Sequence, residues 1–390
     1  KETYGGNLMI FSQYGDYFYL YILLLTSIPA VILGLMGKNI KYYGMLASLF
    51  MIFLIVGIDV QLKYLVIFII LEVIIVKGYE YVRRKTKNKY IYWGFLFASM
   101  LPIIINKISP VTSFGIIGFI GISYLNFRTI QMVIEIYDGA IKEVKISKML
   151  YFMLFFPTLS SGPIDRSRRF EQDLEKQISR KEYIEEYLLP GIKNIVMGVG
   201  YKFVIAFLIN TYWVSRIPKD MSFINILSYM YAYSLYLFFD FAGYSLFAIG
   251  TGYIFGIQVP INFDKPFISK DMKEFWTRWH ISLSRWFGDY IFSRFVMSSM
   301  RKKRFKKRTT AAHVAQMITM ITMGFWHGLT WYYVAYGVYQ GLALVLTDIY
   351  QRKSKFYKKH KKDKWFERVQ IFITFHIVCF GLLIFSGYLA

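Results

Sequence analysis

Long apolar runs alternate with short polar segments along the whole chain. The clearest runs cover residues 17–36, 42–57, 90–105, 190–213, 223–256 and 368–388. A helix of about 20 apolar residues can cross a hydrocarbon layer of roughly 30 Å, and it satisfies its own backbone hydrogen bonds there. The pattern therefore predicts an all-α integral membrane protein, a multi-span helical bundle with about ten to twelve membrane segments.

The pattern changes near residue 115, where glycines and polar residues begin to interrupt the apolar runs. Irregular backbone at membrane depth is tolerated only where protein or water covers it, so these runs predict re-entrant or interfacial helices around a central tunnel. We predict one membrane domain over residues 1–390. It consists of peripheral scaffold helices over 1–110, a core over 115–345, and a basic loop and helix over 346–390.

Composition agrees with a lipid environment. Hydrophobic residues make up 56% of the chain and aromatic residues 20%, with a mean hydropathy of +0.38, which is more apolar surface than a water-soluble domain of this size can hide. Cys379, the single cysteine, excludes an intrachain disulfide and is interpreted as a packed hydrophobe. Glu72, five residues before Lys77, is interpreted as an interfacial residue whose side chain snorkels towards water.

The net charge of +23 does not indicate nucleic-acid binding, because the cations are concentrated in short loops between apolar runs. Residues 83–89, 301–308 and 352–364 are such loops, and the positive-inside rule places them on the cytoplasmic side, beside anionic lipid head groups. Three spans precede the first loop, which predicts an extracellular N-terminus.

Five histidines are candidates for acid–base chemistry, because imidazole titrates near neutral pH. His360 lies in a lysine-rich loop, His313 follows another basic run, and His376 lies alone in an apolar stretch where a packing role is expected. The remaining two are His280 and His327.

His327 lies in the segment Met323-Gly-Phe-Trp-His-Gly328, within an apolar run over residues 314–346. A position deep in the membrane is costly for an ionisable group, so it points to function. The glycines on either side, Gly324 and Gly328, allow another helix or a substrate to approach closely. We predict that His327 is the central catalytic residue.

His280 belongs to a segment with helical periodicity. Trp276, His280 and Phe287 share an apolar face, and charged residues such as Glu274 and Arg278 occupy the other. This pattern predicts one amphipathic helix that lies at an interface or re-enters the membrane. His280 is either catalytic or a buried, hydrogen-bonded ring that orients the helix.

Asp240 and the segment that begins at Ser161 are two further candidate sites. Asp240 is a carboxylate among aromatic residues and needs a partner, a lysine, an arginine or a histidine. It serves either as half of an ion pair that pins two helices or as a catalytic or substrate-orienting group. Ser161, Asp165 and Arg166 belong to a break after an apolar run, which is either a turn or a substrate loop.

Other catalytic arrangements are not supported. The sequence has no Gly-x-Ser-x-Gly elbow, no phosphate-binding loop and no cysteine or histidine pairs at metal-ligand spacing, so no metal site is predicted. Two histidines without a serine partner indicate general acid–base catalysis.

Six motifs, in the same order, resemble those of the membrane-bound O-acyltransferases. They are Gly121-Ile-Ser-Tyr-Leu-Asn-Phe-Arg128, Phe155-Phe-Pro157 with Ser161-Gly-Pro163, Phe239-Asp-Phe-Ala-Gly-Tyr244, Asn262-Phe-Asp-Lys-Pro266, Phe275-Trp-Thr-Arg-Trp-His280 and Gly324-Phe-Trp-His-Gly328. Within the family the chain is most similar to the branch that transfers D-alanine to teichoic acid, although the alginate O-acetyltransferase branch shares the motifs.

The resemblance implies an acyltransferase in the plasma membrane of a Gram-positive bacterium. Its implied donor is the phosphopantetheine thioester of an acidic D-alanyl carrier protein, with no bound cofactor, and its acceptor is teichoic or lipoteichoic acid. Membrane lipids and other cell-wall D-alanylation proteins are further candidate partners. The implied catalytic residues are His327 and His280. Supporting or substrate-binding positions are Asp240, Trp276, Trp279, Trp326, Ser161, Asp165 and Arg166.

A carrier-docking patch is predicted where apolar and basic residues adjoin, because charge steers an acidic partner and apolar contacts retain it. Its members are Phe295, Val296, Met297, Arg301, Lys302, Lys303 and Arg304. The same cations serve equally well for simple attraction to lipid head groups.

Three alternatives remain open from the sequence. One is an O-acetyltransferase that acts on an extracellular polysaccharide. Another is a polytopic transporter of a lipid or polymer intermediate, because broken helices also mark transport pathways. The third is a scaffolding subunit without catalysis.

Overall fold

The computed structural model describes residues 12–112 and 115–390, and the described part is built from helices. Its strand-like pairing is limited to one isolated bridge, between Phe263 and Trp279. The all-α prediction is therefore confirmed. The chain divides into two compact units. Unit 1 is Lys1–Gly198 with Tyr244–Pro260, and unit 2 is Val199–Gly243 with Ile261–Ala390. The predicted single domain and its central tunnel stay predictions.

Within the part of the chain that the structure describes, five helices are long and apolar enough to cross a membrane. They are Tyr17–Leu35, Lys89–Val111, Arg180–Arg216, Phe223–Ile254 and Lys364–Phe385, and Lys41–Val56 is a shorter apolar helix. Large apolar side chains such as Leu24 and Phe372 are well exposed on them, as expected for lipid-facing surfaces. Each apolar run from the sequence is thus a helix, while the total of ten to twelve segments stays a prediction.

Unit 1 contains the first helices of the chain and the mixed-charge segment. Its elements within the described residues are Tyr17–Leu35, Lys41–Val56, Val60–Lys85, Lys89–Ile108, Ser109–Val111, Ile122–Asp138, Ile146–Met153, Phe156–Thr158, Ser167–Glu175, Arg180–Glu182, Tyr183–Leu188 and Leu189–Val199. Val199, the last residue of Leu189–Val199, already belongs to unit 2.

A buried polar cluster joins three helices of unit 1. Glu72 is fully buried and accepts hydrogen bonds from Ser99 Oγ at 2.9 Å and Asn126 Nδ2 at 3.0 Å. Lys77 pairs with Glu80 instead, at 2.5 Å. The snorkelling interpretation of Glu72 was therefore wrong, because partners on two other helices compensate the cost of burying the carboxyl group.

Arg128, on the helix Ile122–Asp138, stabilises the break that follows the helix Ile146–Met153. It is fully buried and donates to the carbonyls of Phe152 at 2.5 Å, Met153 at 2.9 Å and Thr158 at 2.5 Å. Phe152 and Met153 end the helix Ile146–Met153, and Thr158 ends the short turn Phe156–Thr158, so these carbonyls have no partner in a following turn of their own helix. A buried guanidinium with several donors satisfies them together.

Unit 2 contains both candidate histidines. Its elements are Gly200–Ala206, Phe207–Tyr212, Val214–Arg216, most of Phe223–Ile254, Pro266–Ile268, Met272–Arg278, Ile281–Phe287, Gly288–Phe292, Ser293–Arg301, Arg308–His327, Trp331–Lys353, Lys355–His360 and Lys364–Phe385.

A tight hairpin is formed in unit 2 by the helices Arg308–His327 and Trp331–Lys353, which three residues connect. Glycines allow this close approach: a Cβ on Gly324 would lie 2.5 Å from the Tyr333 carbonyl oxygen, and a Cβ on Gly337 would lie 2.6 Å from that of Met320. The predicted role of Gly324 in close approach is confirmed. The apolar run over residues 314–346 is therefore two packed helices.

Replacing Gly337 with alanine should destabilise this hairpin. The added methyl group would overlap the Met320 carbonyl oxygen and lie 3.1 Å from Ile321 Cα, so one helix must shift, at a cost of about 1–3 kcal/mol. Thermal unfolding in detergent should show a lower Tm. Gly288→Ala is the matched control, because no atom lies within 4 Å of its added Cβ. Equal Tm values for the two variants would contradict the packing described here.

Candidate active site

His327 is the last residue of the first hairpin helix, where an aromatic group surrounds its ring. The imidazole lies 4.6 Å from the Trp326 ring, 5.9 Å from Tyr333 and 4.8 Å from Phe385, measured between centroids. The residue is only half-buried. Aromatic walls with an accessible imidazole form a low-dielectric site in which a proton acceptor remains reachable.

His280 lies at a break between two short helices, Met272–Arg278 and Ile281–Phe287. Its backbone is left-handed, with φ 44° and ψ 53°. The prediction of one continuous amphipathic helix was therefore wrong. The first half has seven residues, whereas the second continues through Gly288–Phe292 and Ser293–Arg301 as one helical run of 21 residues. The interfacial or re-entrant position of the segment stays a prediction.

Asn262 holds this break in place, although no individual role was predicted for it from the sequence. Its carbonyl accepts from the Ile281 N–H at 2.9 Å, while its Oδ1 accepts from Ser282 Oγ at 2.6 Å and from the Ser282 N–H at 3.2 Å. The adjacent Phe263 forms the isolated bridge with Trp279. These contacts stabilise a conformation that costs energy for a non-glycine residue, and such strain often accompanies function. Membership of Asn262 in one of the six motifs was the available signal.

The two imidazoles are near each other within unit 2. His280 and His327 lie within range of a direct electrostatic interaction. His280 is 4% exposed and its ring packs edge-on against Phe241 at 4.8 Å. Its Nε2 has no hydrogen-bond partner among the described residues. A buried polar atom without a partner is rare, and it is one that a substrate can satisfy.

The three candidate tryptophans have different surroundings. Trp326 lies against the ring of His327, as described above. Trp276 is buried, and its Nε1 has no hydrogen-bond partner among the residues that the structure covers. Trp279 is buried among aromatic rings, with Phe263 at 5.2 Å and Phe275 at 5.6 Å. Trp279 therefore supports the break before His280, while the substrate-binding role of the three residues stays a prediction.

Asp240 has the cationic partner that the sequence required. Lys202 Nζ donates to its Oδ1 at 2.5 Å, and the side chains are 15% and 35% exposed for Lys202 and Asp240 respectively. The prediction of a partner is confirmed. Lys202 was not singled out from the sequence. It lies in the π-helical segment Gly200–Ala206, a type of distortion that is frequent at functional sites.

Ser161, Asp165 and Arg166 belong to unit 1, in irregular backbone before the helix Ser167–Glu175. The Asp165 carboxylate accepts from Arg169 Nε at 2.6 Å and from the Arg166 N–H at 2.7 Å, and Arg166 Nη1 donates to Gln131 Oε1 at 3.0 Å. These contacts organise a turn. A direct substrate role for the three residues stays a prediction.

The predicted docking patch is only partly exposed. Met297 is 63% exposed, and the cations Arg301, Lys302, Lys303 and Arg304 are all exposed. Val296 is 7% exposed, because it lies on the inner face of the helix Ser293–Arg301 with Ser299. Including Val296 as a contact residue was therefore wrong, while the patch as a whole stays a prediction.

The other histidines and the cysteine have local partners. His376 Nδ1 lies 2.7 Å from the Phe372 carbonyl oxygen and His360 Nδ1 lies 2.7 Å from Asp363 Oδ2. Cys379 is fully buried beside Met230 and Leu383, which confirms its packing role. His313 was dismissed as part of a basic run, but its Nε2 lies 2.8 Å from Asp348 Oδ2.

Both histidine segments lie in the part of the chain that matches a known protein family. The family model for the membrane-bound O-acyltransferases matches residues 122–386, which include both candidate histidines. The chain belongs to the membrane-bound O-acyltransferase family. It is thus an acyltransferase, as the resemblance of its six motifs implied.

The relatives of this acyltransferase match it over different lengths. It is 42% identical over 388 residues to a teichoic acid D-alanyltransferase of Bacillus subtilis (strain 168), covering 96% of this chain and 98% of the relative. A teichoic acid D-alanyltransferase of Streptococcus thermophilus is 41% identical over 395 residues, covering 96% and 95%. A probable alginate O-acetylase, AlgI, of Azotobacter vinelandii is 30% identical over 250 residues, covering 60% and 47%.

Proposed function

We propose that this acyltransferase transfers D-alanine from a thioester donor to a hydroxyl of teichoic or lipoteichoic acid. The observation that carries the proposal is the identity of 42%, over nearly the whole chain, to a relative named for that activity. The similarity to an alginate O-acetylase covers only 60% of this chain, so O-acetyl transfer has less support.

His327 serves as the general base in this proposal. The acceptor hydroxyl gives its proton to the imidazole while its oxygen attacks the thioester carbonyl carbon. A tetrahedral intermediate forms, and its collapse breaks the carbon–sulfur bond. The proton held by His327 then passes to the departing sulfur, so the donor leaves as a thiol and the ester product remains on the acceptor. The accessible ring of His327 and its aromatic walls support this role.

His280 serves as the donor to the developing oxyanion. With the proton on Nε2, it satisfies both its own unpartnered atom and the negative oxygen of the intermediate. The left-handed backbone, held by Asn262, fixes the ring before substrate arrives, and a pre-organised donor of this kind lowers the barrier by about 3 kcal/mol.

The donor arrives from the cytoplasmic side in this proposal. Its reactive group is the phosphopantetheine thioester of an acidic D-alanyl carrier protein, and the acceptor approaches from the outer face. The basic loops 301–308 and 352–364 lie on the carrier's side and the N-terminus lies outside, according to the positive-inside rule. This arrangement avoids moving a charged amino acid through lipid.

Purified protein in liposomes tests the proposed activity. It is incubated with teichoic acid and either a D-alanyl thioester or an acetyl thioester on the carrier, each with a labelled acyl group. We expect D-alanine to reach the acceptor and acetate to remain on the donor. Transfer of acetate alone would assign the chain to O-acetylation, and movement of the acceptor across the bilayer without any transfer would indicate a transporter.

Reversing the charges of the docking patch should weaken carrier binding. Replacing Arg301, Lys302, Lys303 and Arg304 with glutamate is expected to raise the Kd for the acidic carrier by at least about 10-fold, because steering by charge is lost, with the largest effect at low salt. Binding is measured by titrating the carrier at two salt concentrations. The control is the same replacement with glutamate at Lys358, Lys359, Lys361 and Lys362, in the other basic loop. If Kd does not change, the cations of the patch serve lipid head groups instead.

A further inference from the structure

One buried carboxylate in unit 2 binds three basic side chains from three helices. Asp348 lies in the helix Trp331–Lys353, with its side chain 8% exposed. Its Oδ1 accepts from Lys273 Nζ at 2.5 Å, and its Oδ2 accepts from Arg352 Nε at 2.6 Å. His313 Nε2 lies 2.8 Å from Oδ2 and donates when that nitrogen carries the proton. The carboxylate is therefore fully engaged in holding protein groups together.

The partners of Asp348 belong to the helices that lead to the two imidazoles. Lys273 lies in Met272–Arg278, which ends two residues before His280. His313 lies in Arg308–His327, which ends at His327 itself. Arg352 is on the same helix as Asp348, one turn further on. A single carboxylate thus connects both histidine-bearing segments to a third helix.

A second contact strengthens the connection to the segment of His280. Gln351 Nε2 donates to Asp271 Oδ2 at 2.7 Å, and Gln351 Oε1 accepts from Lys273 Nζ at 2.9 Å. Asp271 is also the N-cap of Met272–Arg278, because its Oδ1 accepts from the Lys273 and Glu274 N–H groups. The start of this helix is therefore held at two points, which restricts both its position and its direction.

Asp348 is too far from His327 to touch the reacting atoms. His313 precedes His327 by 14 residues, which corresponds to about 21 Å along a helix axis. At that distance a tilt of about 3° moves the imidazole by about 1 Å, and a displacement of that size can lower a rate by 10²-fold. Any effect of Asp348 on catalysis must act through the orientation of the helices.

We propose that Asp348 is a positioning residue that aligns the two histidine-bearing segments for acyl transfer. The inference rests on the proposed roles of His327 and His280. Asp348→Asn keeps the shape of the side chain but removes its charge. It should lower kcat by about 10- to 100-fold and leave the KM for the thioester donor within about twofold, because no donor contact is lost.

The test measures kcat and KM in proteoliposomes, with rates expressed per folded molecule, and uses whichever thioester the wild-type protein turns over. Lys273→Gln and His313→Gln should each lower kcat as well, and each loss should be less than additive with that of Asp348→Asn, since each variant removes a contact of the same carboxylate. Asp348→Glu, which retains the charge, should recover part of the rate.

Asp363→Asn is the matched control. It removes the charge of a carboxylate in the same unit whose Oδ2 lies 2.7 Å from His360 Nδ1. The two residues are three positions apart in the basic loop 352–364, so their contact joins neither histidine-bearing segment to another helix. Asp363→Asn should leave kcat unchanged. Wild-type kcat in Asp348→Asn, an equal loss in Asp363→Asn, or additive losses in the double variants would overturn the proposal. If Asp348→Asn does not fold, unchanged kcat in both Lys273→Gln and His313→Gln would overturn it equally.

Failure of the proposed function and failure of the positioning role give different results. Absence of D-alanyl transfer by the wild-type protein contradicts the activity itself, whereas a fully active Asp348→Asn variant contradicts only the positioning role.

Discussion

Replacing His327 with alanine is expected to lower the rate of acyl transfer by roughly 10²- to 10⁴-fold, the usual contribution of a general base. The acceptor hydroxyl then has no group to take its proton as its oxygen attacks the thioester. The KM for the donor should change little, because the imidazole acts mainly in the transition state. The measurement is the initial rate of labelled acyl transfer in proteoliposomes.

His376→Ala is the matched control for this variant. His376 is another histidine of unit 2, and its Nδ1 lies against a backbone carbonyl of its own helix. We expect this variant to keep the wild-type rate. A His327→Ala protein with wild-type Tm and wild-type rate would remove His327 from the mechanism.

His280→Asn should lower the transfer rate by roughly 10²- to 10³-fold, the typical loss when one oxyanion donor is removed. Asparagine tolerates left-handed backbone better than most residues, so the break between the two short helices should persist. Its side chain is too short to reach the position of Nε2. Transfer rate and Tm are measured together, and Tm is expected to stay close to the wild-type value.

Two further substitutions separate the ring of His280 from its backbone. His280→Gly also suits a left-handed conformation, so it should resemble His280→Asn in both rate and Tm. His280→Val should lower Tm as well, because a β-branched residue is strained at a φ of 44°. If the Asn and Gly variants retain the wild-type rate, His280 serves only to orient the segment.

The membrane helices were predictable because their signal is local and strong. Each long apolar run, such as residues 17–36, corresponds to a helix in the structure, here Tyr17–Leu35. In lipid a single long apolar segment can satisfy all its backbone groups within itself only as a helix, so such a run predicts a helix without reference to distant residues. His327 was singled out for a related reason, since an ionisable group in an apolar run is costly, and its catalytic role stays a prediction.

Features that depend on distant partners were not predictable from periodicity. The break at His280 is stabilised by Asn262, 18 residues earlier in the chain, so the helical spacing of residues 274–289 was misleading. Glu72 is buried because Ser99 and Asn126 come from two other helices. His313 follows a basic run, and only the fold brings it to Asp348.

The glycine contacts of the hairpin also fix the position of the His327 imidazole along its helix. The two helices are in backbone contact at Gly324 and at Gly337. Sliding one helix by a single residue, about 1.5 Å, would push a carbonyl oxygen into the facing helix. His327 therefore cannot move along its axis to suit acceptors of different length. In the proposed mechanism the acceptor hydroxyl must therefore reach a fixed position. Selectivity among polymers should depend on the residues that line the acceptor's route and not on His327.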